Sequence, residues 1–163
     1  MTPAERAFCC RYFSEFFRGR FHDSVGSYWP AVSEALQDKT TPIIVTRNER
    51  QVWGKLFGEK GEAIALAESA WTKSDAASRT SEGSAASEEL PQDHLSVLLA
   101  RLACEIENKR DTKAFVSEHF GTWLDELSAL VREKTKNHPI LTIWAAFDLF
   151  VRGERASAAS CGK

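Results

Sequence analysis

Side chains that could do acid–base, nucleophilic or metal chemistry are sparse in this 163-residue chain. The four histidines stand at His22, His94, His119 and His138, with no i,i+4 pair to chelate a metal from one helix. Cys9, Cys10, Cys104 and Cys161 show no C-x-x-C and no paired spacing. Neither a zinc knuckle nor a disulfide framework is indicated, and free, mostly buried thiols fit a reducing cytoplasm. No Walker A, dinucleotide glycine fingerprint, H-E-x-x-H or G-x-S-x-G occurs. The one acid–imidazole neighbour pair of interest is Asp93-His94, within Glu89-Leu90-Pro91-Gln92-Asp93-His94. Two readings stand side by side. Pro91 marks a helix start, which places Asp93 in the first turn as a cap, with His94 half-buried over the helix N-terminus. Alternatively the pair sits at the mouth of a groove and accepts hydrogen bonds from a cationic or peptide ligand. No nucleophile or oxyanion device accompanies it, so an acid–base enzyme ranks last.

The elements that must position this pair read as helices. Thr2-Pro3-Ala4-Glu5 is a capping box with proline at the first helical position. Phe8, Tyr12, Phe13, Phe16 and Phe17 follow at helical spacing, and Gly19 is the stop signal. Tyr28, Trp29, Val32 and Leu36 predict a second helix, with Pro30 in its first turn or kinking it. Pro42-Ile43-Ile44-Val45 reads as a buried connector, since no second strand-like run exists to pair with it. Thr46-Arg47-Asn48-Glu49 caps a helix carrying Val52, Trp53, Leu56 and Phe57, with Gly58 as its stop. The Ala-rich stretch from Glu62 to Thr72 also predicts a helix.

Five serines and no Val, Ile, Leu, Met, Cys or aromatic residue occupy Ser74 to Glu89, the composition of a flexible linker. Order resumes at Pro91, and Leu95, Leu98, Leu99, Leu102 and Ile106 mark a helix. Asp111 caps a shorter one bearing Phe115, Val116 and Phe120. Trp123, Leu124, Leu127, Leu130 and Val131 form the next stripe. His138-Pro139 opens a last helix with Ile140, Ile143, Trp144, Phe147 and Phe150 inward, ending at Gly153. The expectation is an all-α bundle of seven or eight helices: an N-terminal half over 1–73, a hinge over 74–90, a C-terminal half over 91–153 and a frayed tail over 154–163.

Composition removes several function classes. The net charge is −2 and the pI about 6.1, with the surplus acid confined to 72–90, where two basic groups face four acidic ones. No basic stripe asks for nucleic acid. No run approaches the length of a membrane span, and no signal-peptide pattern opens the chain, so a cytoplasmic protein is expected.

Three short stretches say little alone, and plain core packing explains Trp53-Gly54-Lys55-Leu56-Phe57 by spacing. In order, they carry more. Trp53, Leu56 and Phe57 match a W/Y-x-x-L-F pattern, and Glu68-Ser69-Ala70-Trp71 an E-S-x-W/Y turn. Glu89, Pro91, Asp93 and His94 match E-x-P-x-D-H. His119-Phe120-Gly121-Thr122-Trp123 matches H-L-x-x-W with Phe in the Leu place. His138-Pro139-Ile140-Leu141 matches an H-P-F-Y helix start without its aromatics. Over roughly residues 4–152 the chain thus resembles the TorD/DmsD/NarJ family of redox-enzyme maturation chaperones.

That resemblance implies an all-α chaperone with no reaction of its own. Such a chaperone binds the twin-arginine leader of a molybdenum- or tungsten-cofactor oxidoreductase and holds the apo-enzyme back from export until its cofactor is inserted. It further implies no resident cofactor or metal, with weak guanine-nucleotide binding proposed for some members, and a monomer or a dimer swapped through the hinge. On this reading Trp53, Leu56 and Phe57 floor a groove, Asp93 accepts a guanidinium and His94 orients it, with Glu88 and Glu89 adding negative potential. Glu68, Ser69, Trp71, His119 and Trp123 support the site. The alternative is an α-helical small-molecule or regulatory module whose aromatic residues line a pocket.

Overall fold

The computed structural model describes residues 1–19, 23–37, 47–57, 63–72, 80–81, 90–135 and 140–160. Eight helices run through them: α1 (Pro3–Phe17), α2 (Asp23–Ala35), α3 (Arg47–Phe57), α4 (Ser69–Thr72), α5 (Leu95–Glu107), α6 (Lys113–His119), α7 (Trp123–Lys134) and α8 (Ile140–Ala159). The architecture is all-α. Its departures among the described residues include a two-residue antiparallel ladder, β1 (Ala63–Ile64) against β2 (Thr80–Ser81), with Ala63 opposite Ser81. The remainder of the 74–90 hinge apart from Leu90, the 42–45 run, Thr46, Gly58 and His138-Pro139 lie outside the described residues.

Local signals decide α1. Glu5 N–H donates to Thr2 Oγ1 at 3.3 Å and Thr2 N–H donates to Glu5 Oε2 at 2.6 Å, with Pro3 opening the helix. At the other end Arg18 is the C-cap, and Gly19 takes φ +70°, the left-handed conformation glycine adopts at no steric cost. Phe13, Phe16 and Phe17 are fully buried. α1 also packs along α5, whose Leu95, Leu98, Leu99 and Leu102 are all at 0% exposure. The two helices run antiparallel: Arg11 pairs with Glu107 at 2.7 Å near one end, and Ser14 Oγ donates to Ser96 O at 2.8 Å near the other.

α8 closes the core against both α1 and α7. Phe13 and Phe17 lie edge-on to Phe147 at 5.3 and 4.8 Å. Against α7, Ser128 Oγ accepts from Trp144 Nε1 (2.9 Å) and donates to Asp148 (2.8 Å), which also takes Arg132 at 2.6 Å. Every apolar residue expected to face inward on α8 does so.

Four expectations are corrected. Pro30 lies well inside α2, which excludes the first-turn placement and leaves the kinking one, and Tyr28, expected on the apolar stripe, is 53% exposed. Among its described residues the Ala-rich stretch is helical only over α4, because the backbone ahead of α4 is extended and its carbonyls serve partners beyond that extended run: Ala65 O accepts from Trp71 Nε1 and Leu66 O from Leu95 N. The helix after Pro91 begins at Leu95, so Asp93 precedes its first turn. Finally, α8 does not stop at Gly153. It continues to Ala159 because Glu154 points inward, 2% exposed, and receives Arg6 at 2.8 and 2.6 Å, while Arg6 also donates to the buried Thr112.

Removing one partner of such a pair strands a buried charge. Arg6→Met should therefore lower unfolding free energy by about 3–5 kcal/mol in urea titration. A loss below about 1 kcal/mol would mean that the clasp does not hold the end of α8.

Candidate functional site

Residues from four separate segments line a cleft of about 230 Å³. The end of α1 brings Phe17 and Arg18. α3 brings Trp53 and Phe57, one turn apart with ring centroids at 5.6 Å. The extended segment before α4 brings Leu66 and its neighbours, and the lead-in to α5 brings Leu90, Pro91 and His94. Phe57 also stacks on Trp144 at 6.0 Å and 21°, so the floor continues into the aromatic core.

Gly19 permits this approach. A Cβ built there would sit 2.8 Å from Trp53 Cη2 and Cζ3, and the positive φ disfavours any side chain regardless of space. The glycine that stops α1 is therefore also the floor's clearance.

Backbone lacing holds one wall. Leu95 N–H donates to Leu66 O (2.8 Å) and Glu68 N–H to Asp93 O (3.0 Å), around a bridge between Ala67 and His94. Asp93 Oδ2 accepts from Ser69 N–H at 2.9 Å, which caps α4 across the chain. Burial works to raise the Asp93 carboxyl, but the hydrogen bonds from Ser69 outweigh it and hold it below its ordinary value. Behind the wall, His119 Nδ1 donates to Glu68 Oε2 at 2.9 Å, and Trp123 Nε1 donates to His119 O at 2.9 Å.

His94 is the N-cap of α5. Its Nδ1 accepts from Ser96 N–H at 3.2 Å, so the neutral ring carries its proton on Nε2. Burial pushes the imidazole down to about 4; the Asp93 carboxylate opposes this and the Arg18 guanidinium adds to it.

The motif residues therefore divide into two groups. Trp53, Phe57, Pro91 and His94 meet in the cleft. Glu68, Ser69, Trp71, Asp93, His119 and Trp123 form the hydrogen-bonded frame behind it. Leu56 is buried at 6% exposure and does not line the cleft; nor does Asp93. Glu88 and Glu89 lie outside the described residues. Phe17, Arg18 and Leu66 carry no motif, and only the close-approach glycine after Arg18 marks them in the sequence.

A larger groove of about 430 Å³ runs between α7 and α8, but Arg132–Asp148 and Arg155–Asp125 pair across it, and none of the motif residues reaches it. Among the described residues no cluster of three or more His, Cys, Asp or Glu could hold a metal ion, and no helix is long and apolar enough to cross a membrane. No family model, curated protein or solved structure matches the chain.

Two outcomes follow for the cleft. The unfolded chain takes up a proton on His94 as pH falls through about 6.5, whereas the folded protein resists until about 4. Folded-state stability is therefore lost on acidification across that window. His94→Asn keeps a capping side chain and should flatten the decline of the urea midpoint between those pH values; parallel wild-type and variant curves would rule His94 out as the cause. Gly19→Ala should cost about 1–3 kcal/mol from strain and the Trp53 clash, and a variant as stable as wild type would show that Trp53 moves aside freely.

Proposed function

We propose that the chain is a leader-binding maturation chaperone of the TorD/DmsD/NarJ kind. It acts in the cytoplasm on the twin-arginine leader of a molybdenum- or tungsten-cofactor oxidoreductase and catalyses no reaction itself. One observation carries the reading. Residues of separate motifs, Trp53 and Phe57 on α3 with Pro91 and His94 ahead of α5, converge on a single apolar cleft although about 40 positions separate them in sequence. A leader that folds as an amphipathic helix presents an apolar face to such a surface, and aromatic floors of this kind concentrate binding energy.

The rest of the motif set supports the same role indirectly. Asp93, Ser69, Glu68 and His119 connect the α5 lead-in to the α4 turn and to α6. In this reading they keep the cleft open and shaped while the cleft residues touch the ligand.

Calorimetry with a synthetic peptide containing the paired arginines and apolar segment of a twin-arginine leader tests the proposal. Wild type should bind it. Ala70→Phe, which fills the cleft from α4, should weaken binding about tenfold or more at unchanged helix content. His94→Ala should weaken it as well. Binding that survives cleft-filling intact would place the leader elsewhere, and the cleft would lose its role.

A further inference from the structure

The polar character of the cleft says which end of a peptide belongs there. Arg18 is anchored through Nε, which donates to Ser96 Oγ at 3.2 Å, and its two terminal nitrogens meet no acceptor among the described residues. His94 uses Nδ1 on Ser96 N–H, leaving Nε2–H as the ring's remaining polar edge. Both lining side chains are thus donors. Four of the backbone carbonyls beside them are already taken. Ala65 O already accepts from Trp71 Nε1, Leu66 O from Leu95 N, Ala67 O from Ala70 N and Pro91 O from His94 N. Among the described residues the carboxylates on this wall do not line the cleft: Asp93 is engaged with Ser69 and Glu68 with His119.

A guanidinium brings five donors and no acceptor, so it matches this wall poorly. The C-terminal turn of a helix is its complement: four backbone carbonyls without intrahelical partners, at the negative end of the macrodipole. We infer that the cleft takes a peptide's apolar helix by its C-terminal end, with those carbonyls against Arg18 and His94 and the paired arginines directed away from it. This rests on the leader-binding reading and adds a direction to it. Arg18 becomes the residue that reads polarity, while Trp53 and Phe57 read only apolar surface. The arrangement differs from the one expected from sequence, in which the Asp93-His94 pair accepts a guanidinium.

The test uses two synthetic leader-type peptides that end directly after the apolar segment, one with a free C-terminal carboxylate and one amidated. Each is titrated calorimetrically into the full chain. The free acid should bind about three- to tenfold tighter than the amide, because its added charge meets Arg18. Arg18→Gln, checked for unchanged helix content and melting, should abolish that difference. Equal binding of acid and amide to wild type would overturn the orientation while leaving leader binding in place. Failure of both peptides to bind would remove the reading beneath it, and the inference with it. Decanoate alone binding as tightly as the acid peptide would make the occupant a small apolar acid and also overturn the proposal. The acid–amide comparison on wild type needs no substitution, so a folding defect in the Arg18 variant does not blunt it.

Discussion

The Asp93 carboxylate on the Ser69 amide ties together segments 24 residues apart, and the candidate site depends on that tie. Around it, the extended run before α4 and the lead-in to α5 exchange backbone hydrogen bonds like two strands of a sheet, within an all-α architecture. This gives the cleft a wall of fixed main chain opposite the aromatic floor of α1 and α3. Without the carboxylate, the first turn of a four-residue helix would have to find another acceptor. A helix that short has little intrinsic stability, so its position is set by what holds its ends.

The floor of the cleft is also part of the core. Phe57 stacks on Trp144, and Phe17 meets Trp144 edge-on at 5.5 Å and Phe147 at 4.8 Å. A ligand resting on Phe57 and Phe17 therefore lies one ring away from the centre of α8. The thiols sit apart from this. Cys9 and Cys10 are buried, burial pushes the Cys9 thiol up to about 12 and the Cys10 thiol well above its ordinary value, and Cys104 is exposed beside Arg11. Thiolate chemistry at the buried pair is suppressed by their surroundings.

Local features were legible in the sequence. The Thr2–Glu5 box and the Gly19 stop require only neighbours within a few residues, and both occur as the pattern demands. The inward stripes of α5 and α8 follow from period alone. Tertiary demands were not visible in this way. The Ala-rich run before α4 has helix propensity, yet Leu95 and Trp71 need its carbonyls, and that need outweighs propensity. Gly153 looked like a terminator, but nothing there requires glycine: a Cβ would meet no atom within 4 Å, and the helix passes through to place Glu154. In the cleft, Trp53, Phe57, Pro91 and His94 were identified by ordered resemblance, whereas Arg18 owes its place to α1 ending beside His94, a proximity no local pattern encodes.

The Arg6–Glu154 clasp spans 148 positions. During synthesis, the first helix emerges long before its ionic partner exists, and its phenyl-rich face must wait for α5 and then α8 to cover it. Joining the two ends is thus a long-range closure, which carries the entropy of bringing distant chain together. A nascent chain of this protein would carry the same unsatisfied greasy surface that its finished form is proposed to recognise in others.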